Sequence, residues 1–469
     1  MPGRLIYRPL LFPPPENAET IRFAAGPAPR ARAAAYPLIT HTPYFSVWAF
    51  QATLTAAPTR YWAGKPQALE VVVRVDGRAY QFLGQGASGY RTTFAMAEEQ
   101  SYPVRYTFQQ PVAGWKRPAL ANSMGWKTGP APFKSEPGRP GTAWTGRDVW
   151  VRRKANLAGA FVVLLWHDDN AEVYLNGVLL TKRAGADGQC DHIDVPAAGR
   201  AALCQGDNVL ALNCANPQSG AHLDAGLYEE LPAPRLPTAR QMGVAVAATQ
   251  TTSTFAASPV RLTVNFLSSL LLNELETVAR PVSYVTFTAV APNGQPHPTQ
   301  VLLAEAGTLA SDTPYQEVAA RAGAAGPLRW QALGTVAQPV LAKTGDGRRI
   351  DWGYAYLAAP VGALLGTGVP QILKTTFAST RALPAAGPAC AVPAQRVAQA
   401  AVLDLGHVAA QPVEKHLLLG YDEQYAVQYF GQNLRPWWRR GPATTMEQAL
   451  AAAEADYARL RQKATAFGQ

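Results

Sequence analysis

Two-residue turns between runs of alternating apolar residues constrain this chain most strongly. Residues Leu69–Gly84 alternate on both sides of an Asp76-Gly77 pair, with apolar side chains at Val71, Val73, Val75, Tyr80 and Phe82. A type I′ turn needs positive φ at both central residues, and Asp-Gly or Asn-Gly adopts that conformation at low cost. Alternation with a period of two places the apolar side chains on one face of a sheet. The segment is therefore predicted to be a β-hairpin.

The same pattern recurs along the chain. Glu172–Leu180 surrounds Asn176-Gly177, and Val282–Val290 runs into Asn293-Gly294. A fourth turn, Gly345–Gly347, precedes four residues that would share one face of a strand, namely Ile350, Trp352, Tyr354 and Tyr356. Repeated hairpins of this kind indicate an all-β protein.

One segment is typical of a helix, and it lies at the C-terminus. Thr444 and Glu447 match a capping box, in which each side chain accepts a backbone N–H of the first turn. Apolar residues follow at helical spacing, at Met446, Leu450, Ala453, Tyr457 and Leu460. This stripe must be buried, so the helix either packs on the β-sandwich or leads into a domain that is absent here.

At 469 residues the chain exceeds the ~100–200 residues of a typical domain, so several units are expected. We divide it into a disordered Pro/Ala-rich leader (1–35), a first β segment (36–100), an insert (101–231), a main β-sandwich (232–425), and a final segment with a linker helix (426–469). The fold class is predicted to be a two-part β-sandwich with an inserted jelly-roll module.

The insert is recognised by its tryptophans and its short strands. The tryptophans are Trp115, Trp126, Trp144, Trp150 and Trp166. Strands are predicted at 149–157, 160–168, 171–180, 191–195, 208–213 and 222–227. Short strands at regular spacing favour a jelly roll, and the Pro-rich Leu231–Pro237 is predicted to be the exit linker.

The net charge of +10 raises the question of an acidic partner. The basic residues, however, occur as scattered pairs, at 152–153, 182–183, 348–349 and 439–440. No basic stripe or nucleic-acid motif is present, so nucleic-acid binding is not expected. No apolar run reaches the ~20 residues that span a membrane, so no membrane span is expected.

The four cysteines, Cys190, Cys204, Cys214 and Cys390, lack CxxC spacing, so no metal site is predicted. A single bridge among the first three and buried free thiols both remain open. No nucleotide-binding or metalloprotease motif occurs in a supporting context, so no cofactor is predicted.

Three passages carry a resemblance to a known family. They are Tyr36–Trp48 with Tyr61–Gly64, then Ile350–Tyr356, then Leu417–Tyr425 continuing to Leu434–Trp438. Together they resemble the N-terminal β region of the glutaminase A family, over about Tyr36–Ser101 and Arg240–Phe467. Members of that family hydrolyse L-glutamine to L-glutamate and ammonia.

The resemblance implies that a helical barrel, like that of six-hairpin glycosidases, follows this region. The barrel would begin just after Tyr457–Phe467, and this chain ends at Gln469. The resemblance thus implies a non-catalytic half, with no catalytic residues, that supports a barrel domain in cis or in trans. It also implies a periplasmic or extracellular location, although no signal peptide is seen.

The insert is similar to galactose-binding-like jelly rolls, through Gly125–Phe133, Asp148–Arg153 and Trp166–Gly177. Such modules accompany many glycoside hydrolases, so a carbohydrate ligand is an alternative function. A third reading, in which the whole chain is itself a hydrolase, stays open.

Candidate ligand-binding residues lie in the insert. Asp168, Asp169 and Glu172 form an acidic group that favours a turn, a ligand or calcium contact, or acid–base chemistry. Trp150, Trp166 and His167 form either a sugar platform or part of the sandwich core.

Candidate interface residues lie near the C-terminus, at Tyr421, Asp422, Arg435, Trp437 and Trp438. Trp and Arg dominate buried contacts, so this group favours packing against the helical barrel, with packing inside this chain as the alternative.

Overall fold

The computed structural model describes residues 33–85, 89–94, 96–97, 102–119, 125–135, 141–144, 146–156, 161–185, 190–204, 206–216, 220–231, 236–343, 347–384, 391–441 and 444–467. Most of the predicted leader, most of the predicted exit linker, the first two residues of the Gly345–Gly347 turn, and Cys390 lie outside these residues.

Strands dominate the described residues, and the predicted all-β fold is confirmed. Up to the end of the insert the elements are β1 (Tyr36–Ile39), β2 (Val47–Ala49), β3 (Leu69–Val75), β4 (Arg78–Leu83), β5 (Gly89–Phe94), β6 (Pro103–Thr107), β7 (Lys127–Pro130), β8 (Phe133–Lys134), β9 (Thr142–Ala143), β10 (Asp148–Asn156), β11 (Phe161–Asp168), β12 (Asn170–Leu175), β13 (Val178–Arg183), β14 (Cys190–Asp194), α1 (Ala197–Ala201), β15 (Asp207–Ala215) and β16 (His222–Leu231).

After the insert follow β17 (Arg240–Val246), β18 (Gln250–Ala257), β19 (Val260–Ser268), α2 (Leu275–Ala279), β20 (Val282–Val290), β21 (His297–Ala306), β22 (Glu317–Ala325), β23 (Leu328–Thr335), β24 (Tyr354–Pro360), β25 (Leu364–Gly368), α3 (Pro370–Thr380), β26 (Val392–Pro393), β27 (Ala398–Val408), β28 (Val413–Asp422), β29 (Val427–Tyr429), β30 (Gln432–Leu434) and α4 (Met446–Phe467).

Two of the predicted hairpins form as expected. Asp76 and Gly77 have φ of 49° and 85° between β3 and β4, and Asn176 and Gly177 have φ of 52° and 93° between β12 and β13. Positive φ at both central residues is the type I′ signature, which matches the twist of the flanking strands. In both places local turn chemistry therefore sets the strand register.

The hairpin predicted at Asn293-Gly294 is wrong. β20 pairs with β19 and β28, whereas β21 pairs with β3 and β27, so the turn joins two different sheets. Of the two turn residues only Gly294 has positive φ, at 73°, so the turn is not type I′. Pairing with strands distant in sequence overrides the local signal.

The face predicted for the fourth pattern forms only in part. β24 begins at Tyr354, so Ile350 and Trp352 precede the strand although both are buried. Tyr354 and Tyr356 do lie on one face, in the core beneath α4.

The insert is a sandwich of two sheets. Sheet I has the order β13-β12-β15-β10-β6-β7, and sheet II has the order β14-β11-β16-β8-β9 with β5 also paired to β16. Apolar residues from both sheets fill the space between them, among them Val149, Val151, Val163, Leu165 and Val173. Because β5 joins sheet II, the sandwich includes residues before the predicted start at Ser101.

The body of the protein has two further sheets. Sheet III has the order β17-β18-β19-β20-β28-β24-β23-β22-β26, and sheet IV has the order β25-β27-β21-β3-β4. Phe82 of sheet IV packs on Phe255 and Phe287 of sheet III, with ring centroids 5.2 Å and 6.3 Å apart. Helix α3 covers the other face of sheet IV through Leu373 and Phe377.

Helix α4 packs on sheet III, which buries its apolar stripe. Met446, Leu450, Ala453 and Leu460 are buried against this sheet, with Tyr457 partly buried beside them. The capping box lies one residue later than predicted. The N–H of Gln448 donates to Thr445 Oγ1 at 3.4 Å, and the N–H of Thr445 donates to Gln448 Oε1 at 3.0 Å.

The one-residue shift of the cap gives a direct test. We expect Thr445→Ala to lower the free energy of unfolding by about 1 kcal/mol, because it removes an acceptor for a free N–H of the first turn. Thr444→Ala is the matched control, and its effect should be within about 0.5 kcal/mol. Urea unfolding of both variants measures the difference, and the reverse order of the two effects would restore the predicted Thr444 cap.

One carboxyl group is buried inside the body. Glu305 on β21 is 1% exposed and accepts a hydrogen bond from Gln399 Nε2. Burial raises the pKa of Glu305 from its ordinary 4.5 to about 8. At neutral pH this side chain is therefore uncharged in the folded protein, where ionisation would place a charge in the core.

The raised pKa of Glu305 predicts a pH-dependent stability. In the unfolded chain Glu305 ionises above its ordinary pKa, whereas the folded protein keeps the proton up to about pH 8. The contribution of Glu305 to the free energy of unfolding is therefore complete below pH 4.5 and is lost as the pH rises from 4.5 to about 8. Thermal unfolding should show that Glu305→Gln raises the melting temperature more at about pH 8 than at about pH 5.

The exposed Glu317→Gln is the matched control for Glu305→Gln, and its effect should not change with pH. An equal shift of the melting temperature for Glu305→Gln at both pH values would show that Glu305 is not protonated in the folded state.

Candidate functional site

The outer face of sheet I collects polar and aromatic side chains. Along β10 the side chains alternate, so Val149 and Val151 enter the sandwich core while Trp150 and Arg152 point away from it. On β12 the same alternation buries Val173 and leaves the flanking polar residues outside. The apolar alternation of the core therefore also positions this outer face.

The strand register aligns five of the outward side chains in one row across sheet I. Trp150 pairs with Thr107 on one side and Asn213 on the other, Asn213 pairs with Glu172, and Glu172 pairs with Lys182. We call these five residues the first row. With strands about 4.8 Å apart, five strands span about 19 Å. The first row is thus an extended surface rather than a pocket.

A loop folds over the outer face next to the first row. This loop connects β6 to β7 and contains Trp115. The ring centroid of Trp115 lies 6.1 Å from that of Tyr174 and 6.3 Å from that of Trp126. Lys116 Nζ lies 3.6 Å from the Tyr174 ring centroid. Trp126 and Trp150 are only half-buried in this cluster, so both retain exposed ring surface.

Glu172 is held in its ionised form. The Tyr174 hydroxyl donates to Glu172 Oε2, and Lys182 Nζ donates to Oε1 at 2.9 Å. These two hydrogen bonds, with that from Tyr174 the larger influence, lower the pKa of Glu172. Burial, reinforced by the bond to Glu172, raises the pKa of Tyr174. The carboxylate is therefore a fixed acceptor in the first row, between Asn213 and Lys182.

Sheet II faces the body of the protein instead. Trp166 stacks on His222 with ring centroids 4.2 Å apart, and it packs beside Met96, Tyr228 and Tyr315. Tyr315 belongs to the body, between β21 and β22. The structure therefore places Trp166 and Trp150 on opposite faces of the insert and does not combine them into one platform.

The other predicted ligand residues are also dispersed. His167 is buried, with Nδ1 2.7 Å from the Asp169 carbonyl oxygen. Asp168 ends β11, and burial followed by the neighbouring Asp169 raises its pKa. Of the four residues His167, Asp168, Asp169 and Glu172, Glu172 is the one on the outer face of sheet I. Within the described residues, no group of three or more His, Cys, Asp or Glu side chains is arranged to hold a metal ion.

Two of the cysteines are free thiols. Cys204 is exposed and Cys214 is buried, and burial raises the pKa of Cys214 to about 12. The bridge that the sequence left open therefore does not involve either residue. The side chain of Cys190 lies outside the described part of the chain.

Three of the five predicted interface residues pack within this chain. Tyr421 is fully buried, 5.1 Å from the Phe45 ring, and its hydroxyl donates to the Trp352 carbonyl at 2.8 Å. Asp422 is buried and accepts a hydrogen bond from Arg439 Nε at 2.9 Å. Trp438 is buried in the core beneath α4.

The other two interface candidates are exposed. Arg435 and Trp437 both lie on the surface, and Trp437 is 50% exposed. They follow the hairpin of β29 and β30, whose tip carries Phe430 at 90% exposure. The described residues include no helix long and apolar enough to cross a membrane.

Sequence reasoning missed Asn213 and Arg105 on the outer face. Asn213 lies beside Trp150 only because β15 pairs with β10, and Arg105 lies beside Arg152 only because β6 pairs with β10. The available signal was the period of two along β10, which places Trp150, Arg152 and Lys154 on one side.

Two families match parts of this chain. The family described as domain of unknown function DUF5127 matches residues 249–469, and the one described as DUF4964 matches residues 17–92. Neither match extends over the insert. No curated protein matches the chain.

Several solved structures are similar to parts of the chain. A β-glycosidase from Bacteroides vulgatus is 13% identical over 43% of this chain and 31% of its own, with a TM-score of 0.24. A glycosyl hydrolase family 2 member from Bacteroides cellulosilyticus is 11% identical over 55% and 33%, with a TM-score of 0.23. A Faecalibacterium prausnitzii β-glucuronidase is 15% identical over 43% and 44%, with a TM-score of 0.24. The chain spans less than half the length of each, and at these scores the likeness carries no argument about function.

These comparisons correct the predicted resemblance to the glutaminase A family. The two stretches that carried it are matched by domains of unknown function. The predicted resemblance to the glutaminase A family is therefore wrong, and the helical barrel was expected only from that resemblance.

Because Trp438 is buried and Trp437 is half exposed, replacing them is predicted to change stability by very different amounts. Trp438→Ala should lower the free energy of unfolding by about 3–5 kcal/mol, because it leaves a cavity beneath α4. Trp437→Ala, its matched control, should change it by about 0.5 kcal/mol or less, because Trp437 is half exposed. Denaturant unfolding compares the two. Equal stability of both variants would return Trp438 to the role of an interface residue.

Proposed function

We propose that this chain is a carbohydrate-binding accessory protein that acts beside a glycoside hydrolase, and that the outer face of sheet I binds the sugar. The first row carries this proposal. In it a half-buried tryptophan lies in register with an amide, a carboxylate, an ammonium and a hydroxyl group.

The chemistry of the first row matches that of a sugar ring. A pyranose has a C–H face that stacks on an aromatic ring, and Trp150 offers a large rigid ring surface. Its hydroxyl groups each donate and accept hydrogen bonds. One N–H of Asn213 donates to the Val149 carbonyl at 3.2 Å, which leaves the other N–H as a donor and the amide oxygen as an acceptor. Glu172 accepts, and Lys182 donates.

The shape of the first row favours a polymer. A pocket encloses a small ligand on most sides, whereas the first row runs along the outside of a sheet. Its Thr107 is buried, and the four other members lie exposed or half-exposed on neighbouring strands over about 14 Å. Several sugar units of one chain would contact it together. A polysaccharide ligand also favours a periplasmic or extracellular location for the protein.

Acid–base chemistry finds little support on this face. Glycoside hydrolysis generally needs two carboxyl groups whose pKa values differ. The carboxyl groups on the described strands of sheet I are Glu172, Asp207 and Asp148. Glu172 and Asp207 are paired with lysines, and the hydrogen bonds of Glu172 lower its pKa. Binding without catalysis is therefore the function proposed for the face.

The proposal predicts that one aromatic ring dominates affinity. Trp150→Ala should weaken polysaccharide binding by about tenfold or more, because truncating a central aromatic contact costs more than 1 kcal/mol. Titration calorimetry of the full chain against a panel of neutral and acidic polysaccharides measures this. Trp437→Ala removes an exposed tryptophan elsewhere and serves as the control. If no polysaccharide of the panel binds, or if both variants lose affinity equally, the proposal is wrong.

A further inference from the structure

Positive charge on the outer face of sheet I exceeds the negative charge. Three acidic side chains lie on its strands. Glu172 and Asp207 each pair with a lysine at 2.9 Å, as Glu172–Lys182 and Asp207–Lys154, and Asp148 lies at the start of β10. Four basic side chains of the face and its covering loop have no ion-pair partner among the described residues. They are Arg105, Lys116, Arg117 and Arg152.

Two of these charges oppose each other directly. Arg152 on β10 pairs in register with Arg105 on β6, so their backbones are about 5 Å apart. Arg152 donates to the Arg117 carbonyl oxygen at 2.8 Å, a bond that fixes the guanidinium but does not neutralise it. Burial, and then repulsion by Arg105, lower the pKa of Arg152. Arg152 is buried whereas Arg105 is exposed, so an anion bound at Arg105 would relieve this repulsion.

The arginine pair lies next to the aromatic surface of the first row. Arg152 follows Trp150 by two residues on the same side of β10, a distance of about 7 Å along the strand. A sugar unit stacked on Trp150 would therefore place a charged substituent, or that of the next unit, near the arginines. The planar guanidinium binds carboxylate and sulfate-like groups through two parallel hydrogen bonds.

We propose that the ligand of this face is an anionic polysaccharide, whose carboxylate or sulfate groups pair with the exposed Arg105, beside the buried charge of Arg152, while a sugar ring stacks on Trp150. This inference rests on the proposed function, since it names the class of carbohydrate that the same face binds. The positive charge of the arginines favours an anionic ligand, and the ring of Trp150 favours one that contains sugar units.

The experiment compares four polymers on the full chain by titration calorimetry at low and high salt. Polygalacturonate supplies carboxylates, and its methyl ester has the same backbone without the charge. Dextran sulfate supplies sulfates, and polyglutamate supplies carboxylates without sugars. We expect at least one of the two anionic polysaccharides to bind about tenfold or more tightly than the methyl ester, and to weaken as salt increases.

Two variants and one control separate the contributions. Arg105→Gln, at an exposed position, should weaken binding of the anionic polysaccharide by about tenfold and leave binding of the methyl ester unchanged. Arg329→Gln removes an exposed arginine from sheet III and should change neither. Trp150→Ala should weaken binding of the anionic polysaccharide but not any binding of polyglutamate.

Three outcomes would overturn the inference, and they differ from one another. If the methyl ester binds as tightly as polygalacturonate and Arg105→Gln has no effect, the ligand is a neutral carbohydrate and the proposed function stands. If polyglutamate binds as tightly as the polysaccharides and Trp150→Ala has no effect, the face is a general cationic surface. If no polysaccharide binds, the proposed function fails together with the inference.

Discussion

The architecture depends on the point where the insert begins and ends. Gln81 of β4 donates its N–H to the Pro237 carbonyl and accepts the N–H of Ala239, both at 2.8 Å. The chain therefore leaves the body and returns to it at adjacent positions. This allows sheet IV to combine β3 and β4, which precede the insert, with β21 and β27, which follow it. β3 (Leu69–Val75) pairs with β21 although the whole insert lies between them in the sequence. The two hydrogen bonds of Gln81 hold the ends of the insert together and so shorten the loop that this pairing has to close.

The way the insert is attached to the body also determines which of its faces is open to a ligand. Sheet II lies toward the body, where Trp166 packs beside Tyr315, so sheet I lies on the far side of the sandwich. The two sheets have equally apolar inner faces, and only their outer surroundings differ. A tryptophan on sheet II therefore packs against the body, whereas a tryptophan on sheet I is part of a candidate binding surface. The contrast between Trp166 and Trp150 follows from docking geometry and not from their chemistry.

The sequence predicted the structure correctly where the conformation of a short segment depends on its own residues. The Asp76-Gly77 and Asn176-Gly177 turns and the apolar stripe of α4 belong to this class. Signals of equal strength were insufficient at Asn293-Gly294, because the strands on either side pair with distant partners. The cap of α4 shifted by one residue because two adjacent threonines each precede a suitable side chain by three positions. The first row depends on register between strands about sixty residues apart, which a single sequence does not encode locally.

Strand alternation in sheet I separates two kinds of evolutionary constraint. On β10 the odd-numbered valines Val149 and Val151 fill the core, so substitution there costs stability. The residues that alternate with them face outward, and exchanging the exposed or half-buried ones, such as Trp150 and Lys154, alters the surface while the fold is preserved. The sandwich can therefore acquire a new ligand preference by accumulating changes at every second position, with no loss of its framework at any intermediate step. In this sense the pleat of the sheet makes the insert an evolvable scaffold.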